Sequence, residues 1–302
     1  MSARFAALAP LAPLALALAA CAPTAATPGS PTGLAAGQAE WPRQCGDEDD
    51  WDKPGPPFRI HGNAYYVGTC GIAAILVTGD QGHVLIDGGS HGGAPIIARN
   101  VETLGFRLSD IKLLLHSHEH FDHVAGLAEL QRRSGARLLA SERAAPVLAS
   151  GKAATDDPQA DGIDTFPAAR VDGQVTPGEP VVLGNLSLMP VATPGHTPGA
   201  LSWQWRSCDG PDCRSIVYSD SLSPISGDGY RFSDHPDVVA GFRSGLARLA
   251  ALDCDILLTP HPAASHMRGR LAGGSLVDRS ACANYAAGIE ARLDKRLAEE
   301  AQ

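Results

Sequence analysis

The chain has 302 residues, is 44% apolar and carries a formal charge of −9. That length and apolar content suffice for one large domain or two small ones. The acidic balance argues against nucleic acid as the main partner, because phosphate recognition wants a basic face.

The first segment, residues 1–20, reads as a signal peptide: Arg4 is the charged n-region, and the Ala/Leu stretch 5–20 is an apolar h-region too short to span a membrane. Leu18-Ala19-Ala20-Cys21 resembles the lipobox of bacterial lipoproteins, which makes Cys21 the lipidated N-terminus and implies outer-membrane anchoring. Ordinary cleavage nearby is the alternative, and either route leads to the periplasm. Residues 21–40 lack an apolar period and are rich in Ala, Pro, Thr and Gly, so they read as a flexible tether before a folded part over 41–302.

Setting Cys21 aside leaves six cysteines, a number that suggests three disulfides in an oxidising compartment. Cys208 and Cys213 flank the turn Asp209-Gly210-Pro211 and are expected to close a hairpin tip. For the other four, Cys45–Cys70 and Cys254–Cys282 are the expected pairings among several open ones.

Along the folded part, 72–77 and 83–87 predict a hairpin around Gly79-Asp80-Gln81-Gly82, and 94–104 a helix stopped by Gly105. Residues 111–115 predict a buried strand, and Val124, Leu127 and Leu130 a helix that stops at Gly135. A short strand at 137–140 leads into a long Asp/Pro/Gly-rich loop over 150–180, a length that is often functional. A second hairpin is expected at 181–183 and 186–188, strands at 201–205, 215–218 and 255–259, and a helix over about 280–299. Strands, helices and hairpins mixed in this way predict a layered α/β sandwich with mixed sheets.

The strand at 111–115 runs directly into His118-Glu119-His120-Phe121-Asp122-His123. Three imidazoles and a carboxylate at a strand's carboxyl edge stand where open α/β sheets place their sites, and these donors suit Zn²⁺. His118 and His120 alternate and point the same way on an extended backbone, whereas Asp122 and His123 diverge and suit a second metal. Two further histidines follow apolar strands: His196 in Thr193-Pro194-Gly195-His196-Thr197-Pro198-Gly199, and His261 between Pro260 and Pro262. Two tetrahedral zinc sites need about six protein ligands. The sequence offers His118, His120 and His196 for one Zn²⁺, and Asp122, His123 and His261 for the other.

The HxHxDH motif, the PGHTPG loop and the later TPHP histidine resemble the metallo-β-lactamase superfamily, and Tyr218-Ser219-Asp220-Ser221-Leu222-Ser223 resembles the third subclass of class B β-lactamases. The likeness runs from about residue 41 to the C-terminus. It implies a four-layer αββα sandwich with two mixed β-sheets and both zincs at the edge between its halves. It further implies hydrolysis of the β-lactam amide of penicillins, cephalosporins and carbapenems by a zinc-bound hydroxide, without a covalent intermediate, conferring antibiotic resistance. Asp122 then orients the nucleophile and passes a proton, Ser221 and Ser223 receive the substrate carboxylate, and Gln159 is a rim contact. Glu119 and Phe121 are expected to shape the mouth, and His116 not to be a ligand. The protein is expected to be a monomer. A lactonase or glyoxalase-like thioesterase is the chief alternative, favoured if Asp220 bridges the metals; a non-catalytic zinc-binding lipoprotein is the other.

Overall fold

Two β-sheets stack face to face, each covered by helices on its outer side; the structure, a computed structural model, describes Met1, residues 31–46 and residues 50–302. The first half comprises α1 (Pro31–Cys45), β1 (Phe58–His61), β2 (Ala64–Tyr66), β3 (Ile75–Gly79), β4 (Gly82–Ile86), α2 (Gly93–Thr103), β5 (Ile111–Leu115), α3 (Phe121–Val124), α4 (Leu127–Ser134), β6 (Arg137–Ser141), α5 (Ala145–Ser150) and β7 (Val171–Val175). The second half comprises β8 (Val181–Leu183), β9 (Leu186–Ala192), β10 (Leu201–Asp209), β11 (Asp212–Tyr218), α6 (Pro236–Ala250), β12 (Ile256–Leu258), α7 (Met267–Ala272) and α8 (Ala281–Glu300).

Strands β1 to β7 lie in sequence order, antiparallel through β4 and parallel beyond it. The second sheet runs β12-β11-β10-β9-β8, with β11 and β12 parallel. The period of two along each strand builds the layers. Ile75, Val77, Leu113 and Leu115 meet Trp203, Ile216 and Tyr218 between the sheets. Their neighbours Leu76 and Leu114 face outward onto Ile97 and Val101 of α2 and Leu127 and Leu130 of α4. On the other side, Val217 and Leu257 pack under Phe242 and Leu246 of α6 and Ile289 and Leu293 of α8. Each such fully buried side chain contributes about 1.5–3 kcal/mol of transfer free energy. The layers are therefore α, β, β, α, as the resemblance implied.

Disulfides join Cys45 to Cys70, Cys208 to Cys213 and Cys254 to Cys282. Cys208 and Cys213 face each other across the β10–β11 ladder, so their bridge closes the hairpin tip.

Two expectations change. Residues 31–40, expected within a flexible tether, belong to α1. Gly37 lies so close to the following strand that a Cβ would come within 2.7 Å of the Pro57 carbonyl oxygen, Gln38 donates to the Arg59 carbonyl at 2.6 Å, and Trp41 is buried. Tertiary contacts thus order a stretch whose own composition shows no apolar period. The long loop over 150–180 contains β7, whose Asp172 and Gly173 read as turn residues but find a parallel partner in β6. The export segment after Met1, Cys21 and the tether to residue 30 lie outside the described residues. No helix among the described residues is long and apolar enough to cross a membrane.

Candidate metal centre

Four strand ends converge on one edge of the sandwich. Past β5, His118 and His120 precede α3, and Asp122 and His123 lie in its first turn. The β9–β10 loop brings His196; Gly195 before it has φ 144° and sits on the Phe242 ring, where a Cβ would be only 2.5 Å away. Ser221 and Ser223 follow β11, and His261 follows β12.

His118, His120 and His196 are all buried, with ligand atoms mutually within 4.8 Å. Their outer nitrogens are occupied: His120 Nε2 by Asp157 Oδ2 at 3.0 Å, His196 Nδ1 by the Ser223 carbonyl at 2.9 Å, and His118 Nδ1 by Ser117 Oγ at 3.2 Å. That leaves His118 Nε2, His120 Nδ1 and His196 Nε2 free to converge. His118 Nε2 is buried without a hydrogen-bond partner, and an orphaned ring nitrogen of this kind fits a cation.

The second group is tighter. Asp122 Oδ2 lies 2.9 Å from His123 Nε2 and 3.3 Å from His261 Nε2, and the two Nε2 atoms are 3.3 Å apart. Tetrahedral zinc with bonds of about 2.0–2.1 Å separates its donors by roughly 3.3 Å, so this triangle has the dimensions of a zinc ligand set. Asp122 and His123 also group with His118, whose ring centroid is 4.2 Å from that of His123, so the two sets adjoin.

Electrostatics suit ligation. Burial, reinforced by neighbouring imidazoles, holds His118 and His196 well below the usual histidine range, in the neutral form that binds metal. Burial alone would raise Asp122, but the His123 and His261 imidazoles outweigh it and keep the carboxylate ionised.

Behind the ligands lies a polar layer that sequence reasoning missed. Asp87 is fully buried with φ 68°, a strained conformation of the kind that clusters at functional sites. It accepts from Ser117 N and Oγ at 2.7 Å each and from Tyr218 OH at 2.6 Å, tying the ends of β4, β5 and β11 together. Burial lifts its pKa to about 6 despite His123, Tyr218 and Ser117. A carboxylate directly after a buried strand was the available signal for Asp87; Asp157, within a loop, offered none.

Glu119 does not shape the mouth. It is buried, accepts from Thr197 Oγ1 at 2.6 Å and Gly199 N at 2.7 Å, and so fastens the His196 loop to the His118 loop; burial raises its carboxyl to about 7. His116 also points away: Nε2 accepts from Ser141 N at 3.1 Å, and burial lowers its pKa to about 4. In front of the ligands opens a cavity of about 490 Å³, lined by Gln159, Ser221 and Ser223 on its polar side and Trp51, Phe121 and Ile225 on its apolar side.

Residues 67–209 match the family described as the metallo-β-lactamase superfamily. Among solved structures, the MIM-2 metallo-β-lactamase is 60% identical, with a TM-score of 0.84 over 87% of this chain and 98% of that one. MEM-A1, a subclass B3 metallo-β-lactamase from a soil metagenome library, is 43% identical, with a TM-score of 0.80 over 83% of this chain and 99% of that one. A hydroxyacylglutathione hydrolase of Acidiphilium cryptum (strain JF-5) is 31% identical over 52% of this chain; the match spans about half, 51%, of that relative's length.

Proposed function

The chain belongs to the metallo-β-lactamase superfamily and is a hydrolase, and from that premise we propose that it opens the cyclic amide of β-lactam antibiotics using two Zn²⁺. His118, His120 and His196 would hold one metal, and Asp122, His123 and His261 the other. Zinc bound there supplies Lewis acidity, which polarises a carbonyl and lowers the pKa of water toward ~7.

The chain's own groups do the rest. Asp122 presents Oδ2 to His123 and His261, which leaves Oδ1 to accept a hydrogen bond from the attacking water and to move its proton toward the departing amide nitrogen. The Ser221 and Ser223 hydroxyls receive the substrate carboxylate, Gln159 stands at the rim, and Trp51 and Phe121 cover the apolar part of the drug. A covalent intermediate has no support: Ser117 Oγ lies 3.2 Å from His118 Nδ1, but the residue is wholly buried and its hydroxyl goes to Asp87.

The observation that carries this reading is the pair of adjoining ligand groups behind a cavity lined by Ser221 and Ser223. In lactonase and thioesterase relatives the resemblance implies an aspartate bridging two metals; here Asp220 Oδ2 accepts from Leu222 N at 3.0 Å, while Oδ1 is buried without a hydrogen-bond partner. Thioester hydrolysis is the second reading, favoured by the likeness to a hydroxyacylglutathione hydrolase. The three disulfides support residence in the periplasm, reached by the export segment, with Cys21 as a lipid anchor.

The test is turnover of a chromogenic cephalosporin, a carbapenem and a glutathione thioester by the purified protein, with and without chelator. Fast chelator-sensitive opening of the two lactams, restored by zinc, is the expected result. Thioester turnover without lactam turnover transfers the assignment to the second reading, and zinc binding without any turnover rejects both.

A further inference from the structure

Behind the metal pocket lies a second cavity of about 450 Å³, between β12, the 3₁₀ turn Pro262–Ser265, α7 and α8. Leu257 and Ile289 give it apolar walls, and Arg270 and Arg292 give it positive charge. The half-buried Arg270 guanidinium donates to the Leu257 carbonyl at 2.5 Å and the Leu276 carbonyl at 3.2 Å, both neutral acceptors, and its Nε is buried without a hydrogen-bond partner. Among the described residues neither arginine lies within ion-pair distance of a carboxylate. Asp278 also lines the cavity and acts on Arg270 from beyond ion-pair distance, its Oδ1 being taken up by the Ser280 N–H at 2.9 Å and hydroxyl at 2.7 Å. The half-buried Arg270 thus keeps a donor without a partner, which an anion entering the cavity would satisfy, and the exposed Arg292 at the cavity wall adds to its attraction.

We propose that this cavity is a second ligand site, taking an amphipathic carboxylate whose anionic head meets Arg270 and Arg292 and whose apolar body lies on Leu257 and Ile289. Its volume falls within the roughly 300–1,000 Å³ of small-molecule pockets. It shares Ala264 with the metal pocket. On the shared wall Tyr285 OH donates to the Ser221 carbonyl at 2.5 Å, and Ser265 Oγ meets Thr259 Oγ1 at 2.9 Å, which donates to the His261 carbonyl at 2.7 Å. A ligand seated there packs against the backs of both loops that face the metal pocket.

The probe is octanoate, titrated calorimetrically into the metal-loaded protein with the metal centre saturated by a small thiol. Gly288 lines the cavity, and a Cβ built on it meets no atom within 4 Å, so Gly288→Leu fills the space while leaving both arginines in place. Arg270→Gln removes the charge but also disturbs the Leu257 and Leu276 carbonyls, so Gly288→Leu is the deciding variant. Octanoate is expected to bind in the presence of the thiol, roughly tenfold or more weakly to Gly288→Leu, and more tightly than octanol. Displacement by the thiol, undiminished binding to Gly288→Leu, equal binding of octanol, or no binding of octanoate each overturns the proposal.

Discussion

Ser117 Oγ stands 3.2 Å from His118 Nδ1, with both side chains buried, and through that contact selects which nitrogen of His118 faces the metal pocket. The Ser117 hydroxyl donates to Asp87 Oδ2 at 2.7 Å, so its oxygen accepts the Nδ1 proton and leaves the Nε2 lone pair for a metal. The same device recurs twice with other partners, Asp157 behind His120 and the Ser223 carbonyl behind His196. Three imidazoles are therefore aimed before any metal arrives.

Ser117→Ala removes the hydroxyl that fixes the His118 tautomer. Zinc affinity is expected to fall roughly 10–100-fold with the fold intact. Competition with a chromophoric chelator measures it, and unchanged affinity would remove Ser117 from the account of the site.

His118→Ala and His116→Ala make a paired test, since the residues are two apart and both fully buried. The first is expected to lose one zinc and nearly all turnover. The second is expected to keep its zinc and lose about 1–3 kcal/mol of stability, because Ser141 N is left without an acceptor. Metal content by elemental analysis, beside a melting curve, separates them. Full zinc occupancy in His118→Ala would defeat the ligand assignment.

Much of this centre was legible in the sequence because its candidate ligands follow strands, and β5 and β12 end in the plain apolar runs Leu113–Leu115 and Ile256–Leu258. The outer layer was not, because Asp87 and Asp157 act through contacts 30 and 37 residues away. Glu119 was misread for a related reason: a charged residue inside a ligand motif suggests the mouth, whereas the neighbouring loop supplies donors that let it be buried. Helix α6 went unanticipated although Phe242, Leu246 and Leu249 already stand at helical spacing. For α1 no such pattern was available, since packing on β1 creates the order.

Disulfide reduction is expected to lower the melting temperature. Cys254 and Cys282 close a separation of 28 residues between the entry to β12 and α8, for which chain entropy suggests about 3–4 kcal/mol. In a protein of this size that corresponds to a fall of roughly 6–15 °C. The Cys254→Ser/Cys282→Ser double variant in non-reducing buffer isolates this bridge; a melting temperature equal to that of the parent would show that it adds nothing.

Glu300 gives a pH dependence whose sign follows from its surroundings. Burial alone would raise its carboxyl, but Arg296 Nε at 2.6 Å and the N–H groups of Ser233 at 2.7 Å and Phe232 at 3.1 Å outweigh it and hold the group at about 2, against 4.5 ordinarily. Between those values the unfolded chain binds more protons than the folded one, so stability falls as pH falls. The contribution is fully present above about pH 4.5 and lost as pH drops through about 2. With screening at the surface it amounts to about 1–2 kcal/mol. Glu300→Gln should therefore melt roughly 2–8 °C below the parent at neutral pH, and the gap should close through that acid window. Both proteins are compared after chelation, so that acid release of metal does not enter the difference. A gap that persists at pH 2 would mean that α8 is fastened to residues 232–233 by something other than the ionised carboxylate.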